Sequence, residues 1–220
     1  MTTGGAASEP PYLAIPQSRS GSPVLIIHSW WGLTTSFTQY ADRLAGQGFV
    51  AFCADLYQGK TAATEADAHA LRKARRAEPM YKTLLRNIES LRAHPASTGE
   101  SVALVAFSMG GHWAVWLAQH GHVPISATVL YYAARGGYFS AATSPFLAHF
   151  ANDDPFVSDN SRTTMERAIR QAGLAYTAFD YPTAAHWFAE SDEAAYEHEA
   201  ADLAFERTTT FLHEALTPVD

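Results

Sequence analysis

The chain has 220 residues and is 47% hydrophobic, which suits one globular core and leaves room for at most two very small ones. Its 15 Lys and Arg against 22 Asp and Glu give a net charge of -7, which opposes a phosphate backbone and excludes nucleic acid as an expected partner. The lone cysteine, Cys53, can form no internal disulfide, so a reducing compartment is allowed and the cytoplasm is the expected location.

Residues 1–11 are rich in Thr, Gly, Ala and Pro, lack a basic stretch before an apolar run, and read as a flexible tail rather than a secretory signal. Residues 12–220 read as a single domain, with no repeat and no long linker. An edge strand is expected at 12–15, because Pro10, Pro11 and Pro16 lack the donors a central strand needs. Strand-sized apolar runs follow at 24–28, 49–54, 102–107, 127–132, 146–150 and 175–181. None approaches the roughly 20 residues of a spanning helix, so no membrane association is expected.

Helical spacing separates these runs. Phe37, Tyr40 and Leu44 mark a helix ending near Gly46 or Gly48, and residues 64–76 read as a helix or a loop. Leu84, Leu85, Ile88 and Leu91 mark the next, with Pro79 in its first turn and His94-Pro95 beyond its end. A last helix is expected from Ser191, with Asp192 and Glu193 at its positive pole, toward Ala215. This alternation predicts an α/β fold, a mostly parallel sheet covered by helices on both faces with little or no cap. The long connections 57–78 and 133–144 are expected to overhang the functional face.

The strongest local signal is the run from Ser101 to His112, a buried-type strand that passes through Ser108 directly into a helix bearing Trp113, Trp116 and Leu117. A serine on such a turn needs small residues two places before and two after it, and Ala106 and Gly110 supply them; the usual pattern has glycine where Ala106 stands. The turn exposes the hydroxyl and offers the Met109 N–H to a developing oxyanion. The bland alternative is that Ser108 merely caps the helix. A nucleophilic serine needs a base and an acid later in the chain, each on a loop after a strand. His186 satisfies the base position, and Asp153 and Asp154 compete for the acid, with Asp180 a weaker third.

The other histidines have plainer readings. His69, His94, His198 and His213 read as surface residues, His120 and His122 as caps around Gly121, and His149 as part of a buried strand. His112 follows the serine closely enough to approach it, and His28 is placed to structure the loop after the first long strand. Trp31, Tyr132 and Trp187 lie beside the motif loops and are expected either to shape an aromatic pocket or simply to pack there. The basic run Arg72 to Arg76 reads as a solvated face or an anion contact. No metal-binding or phosphate-loop pattern occurs, so neither a metal nor a nucleotide cofactor is expected. Cys53 reads as a small buried side chain.

The segments Ile26 to Gly32, Gly48 to Tyr57, Ala106 to Gly111, Asp154 to Val157 and Ala185 to Ala189 together resemble the dienelactone hydrolase family over most of the chain. The resemblance implies an α/β-hydrolase that cleaves a small-molecule ester or lactone without a cofactor. It implies Asp154 as the acid and the Trp30 N–H as second oxyanion donor beside that of Met109. Three departures stand out: Ser108 replaces the family's cysteine, Ser29 replaces a glutamate, and Glu190 replaces an arginine that binds a substrate carboxylate. Ser29 is therefore grouped with the residues expected to contact substrate, and muconolactone-type dienelactones are not expected substrates. An acyltransferase on the same triad and a low-turnover binding protein are the rival readings. One sequence leaves the oligomeric state open, a homodimer included.

Overall fold

The computed structural model describes residues 11–74, 76–152 and 154–216. The expected tail, apart from Pro11, and Asp153 lie outside them. Seven strands form one sheet: β1 (Tyr12–Ala14), β2 (Pro23–Ile27), β3 (Val50–Ala54), β4 (Val102–Phe107), β5 (Ile125–Tyr131), β6 (Phe146–Ala151) and β7 (Tyr176–Tyr181). Their order is β1-β3-β2-β4-β5-β6-β7, parallel throughout except for β1, which runs antiparallel along the edge of β3.

The central strands are buried on both faces, and their alternate side chains feed two cores. Leu25 and Ile27 of β2 and Leu104 of β4 meet α3 (Ala77–Arg92), α4 (Met109–His120) and α5 (Asp159–Gln171) on one side. Val24, Ile26, Ala103 and Val105 meet α1 (Thr35–Gly46) and α6 (His198–Leu216) on the other. Each such fully buried Val, Leu or Ile contributes about 1.5–3 kcal/mol, so the strands that end at the site are held by the best-packed part of the molecule. Among the described residues no helix is long and apolar enough to cross a membrane.

One expectation needs correction, and one helix goes unread in the sequence. Residues 191–197 are turns, and the last helix starts only at His198. Asp192 instead serves another helix: the Ser36 N–H donates to its carboxylate at 3.2 Å, which places the negative charge at the start of α1. The unread helix is α5, which the apolar periodicity misses because only Met165 and Ile169 are buried in it; its start is fixed by the Ser158 hydroxyl, which accepts the Ser161 N–H. Residues 64–76 do contain a helix, α2 (Glu65–Ala74).

Behind the sheet, His149 bonds to the Tyr181 hydroxyl at 2.8 Å and to Thr208 at 3.0 Å, while burial pushes its pKa down to about 3. Burial likewise lowers His28 to about 4. Unfolded histidines bind protons near pH 6.5, so between that value and about 3–4 the unfolded chain holds protons the native state refuses. Stability is full above pH 6.5 and is lost as the pH falls, by about 1.4 kcal/mol per pH unit for each group, levelling off below the native pKa values. Urea midpoints measured from pH 7 to pH 4 check this, and His149→Asn should flatten part of the slope.

Candidate active site

β4 ends at Phe107, and Ser108 adopts φ 49° and ψ -114° before α4 begins at Met109. This left-handed region is costly for a residue with a side chain, and such strain collects at functional sites. Tyr132 and Trp187, which neighbour the same cavity, also have positive φ, 39° and 69°. The turn closes because Gly110 has no side chain: a Cβ there would lie 2.3 Å from the Ile27 carbonyl oxygen and 2.6 Å from that of His28. The start of α4 thus rests directly on the exit of β2 and the loop that carries Trp30.

His186 stands in the turn after β7, with Nε2 2.8 Å from the Ser108 hydroxyl. Its Nδ1 lies 2.7 Å from Asp154 Oδ2, and Asp154 Oδ1 accepts the N–H groups of Phe156 and Val157 at 2.8 and 3.2 Å. The side chains of His186 and Asp154 are 4% and 3% exposed, so the pair is withdrawn from water and the carboxylate is held by two N–H groups of its own loop and by the imidazole. Nδ1–H facing the carboxylate leaves Nε2 free to accept the serine proton. Asp180, the weaker acid candidate, is instead paired with Arg162 on the surface.

Ser108 opens into a cavity of about 530 Å³. Its walls include Trp30, Met109, Tyr132, Phe156 and Trp187, and its rim includes His69 and Arg72 of α2. Trp30 stacks on Trp187 with centroids 5.6 Å apart, and Phe156 lies 4.7 Å from the His186 ring. Both long connections reach the cavity, the first through α2 and the second through Ala133 and Ala134. No Asp or Glu is among the described lining residues, although the chain as a whole is acidic.

Several side chains sit otherwise than their neighbours in sequence imply. His69 is exposed as expected, and its ring also packs edge-on against Trp30 at 5.0 Å. Trp31 does not line the cavity; it packs behind it with Trp30 and Ala68. Ser29 is fully buried and turned away from the cavity, donating to Glu190 Oε2 at 2.7 Å. Tyr132, whose ring touches the cavity, donates to Glu190 Oε1 at 2.8 Å. Glu190 is itself fully buried, and desolvation raises its carboxyl to about 8, against the opposing effect of those two hydroxyl donors. His28 donates from Nδ1 to the Ser29 carbonyl at 2.6 Å and accepts the Leu56 N–H on Nε2 at 3.0 Å, so it ties the Trp30 loop to the end of β3. His112 lines the cavity with Nε2 accepting from Arg135, and burial keeps it uncharged, near 4. His120 accepts no catalytic role: its Nδ1 bonds the Trp116 carbonyl one turn back, at a helix end closed by left-handed Gly121. Cys53 is buried with its thiol on the Phe37 carbonyl and its pKa raised.

A parallel sheet flanked by helices, a strained serine between a strand and a helix, and the order serine, aspartate, histidine define an α/β-hydrolase. The chain belongs to the dienelactone hydrolase family, whose model matches residues 10–216, and it is an ester or lactone hydrolase. It is 27% identical to Protein usf of Aquifex pyrophilus over 219 residues, covering 94% of this chain and 93% of that one. It is also 27% identical to a carboxymethylenebutenolidase of Pseudomonas putida over 209 residues, covering 89% and 87% of the two chains. Among solved structures, a dienelactone hydrolase-like promiscuous phosphotriesterase from metagenomic libraries superposes with a TM-score of 0.77 at 20% identity, over 92% of this chain and 91% of that one. An esterase of Thermogutta terrifontis does so at 0.68 and 16% identity, over 93% and 86%. Ser29 and Glu190, two positions where the sequence is expected to depart from the family pattern, are in contact with each other.

Proposed function

We propose that the protein cleaves its ester or lactone through an acyl-enzyme on Ser108, with His186 as base and acid, Asp154 as the group that orients it, and the Trp30 and Met109 N–H groups as the oxyanion site. The observation that carries this reading is the continuous hydrogen-bond chain from Ser108 through His186 to Asp154 at the wall of an aromatic cavity. His186 takes the hydroxyl proton as the serine oxygen attacks the carbonyl carbon, and Asp154 stabilises the imidazolium that forms. The proton then passes to the departing alkoxide; in the second half His186 takes a proton from water as the water oxygen attacks the acyl carbon, and returns it to the Ser108 oxygen as the acid is released. Met109 is the first residue of α4, so its N–H has no acceptor within the helix, and a donor of this kind is worth about 10²–10³ in turnover.

The cavity favours an aromatic or otherwise apolar acyl or alcohol group, because Trp30, Phe156 and Trp187 supply flat faces and Met80 an adaptable one. Arg72 at the rim, with no acidic residue among the described lining, favours a substituent that is neutral or anionic over one that is cationic. The name of the Pseudomonas relative supports lactones, alongside open esters, as the substrate class. The free, buried Cys53 suits the cytoplasm as its working compartment.

Rapid mixing with two phenyl esters of one acyl group, one bearing a ring carboxylate, tests the reading. A burst of about one equivalent of phenol per active site is expected with both, and Arg72→Gln should raise KM for the anionic ester roughly three- to fivefold while leaving the neutral one within about 1.5-fold. No burst with either ester, at a steady rate no higher than the buffer's, would remove the acyl-enzyme.

A further inference from the structure

Glu190 is a fully buried carboxyl that the proposed reaction does not use. Its two oxygens reach different parts of the chain: one accepts from Ser29, adjacent to Trp30, and the other from Tyr132, just past β5. All three residues are fully buried, so each satisfies a polar group that would otherwise be desolvated without a partner. Each of the three segments is further pinned. The Ser29 carbonyl accepts from His28 Nδ1, the Tyr132 N–H donates to the His149 carbonyl at 2.7 Å, and the Glu190 N–H donates to the Trp187 carbonyl at 2.9 Å. The Tyr132 ring packs 4.9 Å from that of His186.

Resting on the reading of Ser108, His186 and the Trp30 N–H given above, we propose that Glu190 is a positioning residue. Its carboxyl clamps the Trp30 loop and Tyr132 to the turn that carries His186, and so sets the distance between the oxyanion donor and the base. Glu190 touches neither substrate nor Ser108. It acts through Ser29 on one side and through Tyr132 on the other, and it sits only four residues after His186, across the left-handed turn at Trp187.

The proton state of this clamp follows from its surroundings. Desolvation, with the nearby charges of Glu193 and Asp192, raises the carboxyl to about 8, while the Ser29 and Tyr132 hydroxyls oppose the shift. Tyr132 is itself held neutral by burial and by this carboxyl. Asp192 is engaged with Ser36 at the start of α1, and His186 faces the far side of the Tyr132 ring. Both hydroxyls donate in the structure, the pattern of a carboxylate; in the neutral acid that a pKa near 8 favours at neutral pH, one of the two hydroxyls turns to accept the acid proton while the other still donates. A glutamine reproduces that pattern, with its carbonyl accepting and its amide donating. As the pH passes about 8, a negative charge appears next to the loop that must receive another negative charge in the transition state. Turnover should then fall.

The test uses Glu190→Ala and Glu190→Gln with a neutral aryl ester from pH 6 to 9.5, with urea midpoints as the control for folding. Glu190→Ala should lower kcat by about 10²-fold at pH 7 with KM within about threefold, the signature of lost alignment rather than lost binding. Glu190→Gln should recover most of that kcat and lose the alkaline fall centred near pH 8 in the wild type. If Glu190→Ala fails to fold, the glutamine variant's pH profile decides by itself. Glu190→Ala with wild-type kcat, or Glu190→Gln with an unaltered alkaline fall, overturns the positioning role alone. Wild-type turnover that does not depend on Ser108 overturns the functional reading and this role with it.

Discussion

Replacing Ser108 with alanine is expected to lower kcat for an activated aryl ester by about four to six orders of magnitude while leaving the fold intact. The side chain forms one hydrogen bond, to His186, and alanine meets the same backbone strain at φ 49°, so the urea midpoint should move little. The loss should be as large with His186→Ala, and the double variant should be no worse than either, because the two act as one unit. Steady-state rates, with circular dichroism on each variant, decide the matter. A residual rate within tenfold of the wild type would place the nucleophile elsewhere. Cys53 could not be that nucleophile, since it is buried, bonded to the Phe37 carbonyl and held as a thiol.

The residues that make the site differ in how openly they declare themselves in the sequence, and the reason is physical. Strands buried on two faces read as unbroken apolar runs, and β2 through β6 each fall within a few residues of where such runs lie. The elbow is legible because its geometry tolerates few residue types around Ser108. The proposed base is legible because His186 alone follows both a late strand and an acid. The acid is harder. Adjacent aspartates are equal in any spacing argument; only the family resemblance favours Asp154 in the sequence, and in the structure the Phe156 and Val157 N–H groups hold its carboxylate toward the imidazole.

What stays hidden is what depends on long-range pairing. Glu190 and Ser29 are 161 residues apart, and neither looks buried by type; each becomes so only because the other is there. Asp192 likewise reads as the start of its own helix until Ser36, far back in the chain, is seen to claim it. The polar α5 escapes because two buried side chains make too narrow an apolar stripe to show a period. Aromatic residues near a motif do not announce which way they face: Trp30 and Trp187 line the cavity while Trp31, next in sequence to the former, packs behind it.

Gly110→Ala should be the most damaging substitution of a residue that takes no part in the chemistry. The added carbon would meet the Ile27 and His28 carbonyl oxygens at 2.3 and 2.6 Å, and the Ile27 carbonyl carbon at 2.9 Å. These are backbone atoms at the end of a central strand, so no side chain can rotate out of the way. The start of α4 must move off β2, which is expected to cost about 1–3 kcal/mol or more of stability. The displacement carries Ser108 and the Met109 N–H away from the Trp30 loop, and a shift of about 1 Å at such a site costs roughly 10² in rate. Gly99→Ala separates the two effects. Gly99 sits at φ +83° with open space around it, so alanine there strains the backbone by about 1 kcal/mol without touching the elbow. Its urea midpoint should fall while kcat stays at the wild-type value, whereas Gly110→Ala should lose both. Were Gly110→Ala to keep the wild-type kcat, the spacing between α4 and the Trp30 loop would not be what aligns the serine with its oxyanion donors.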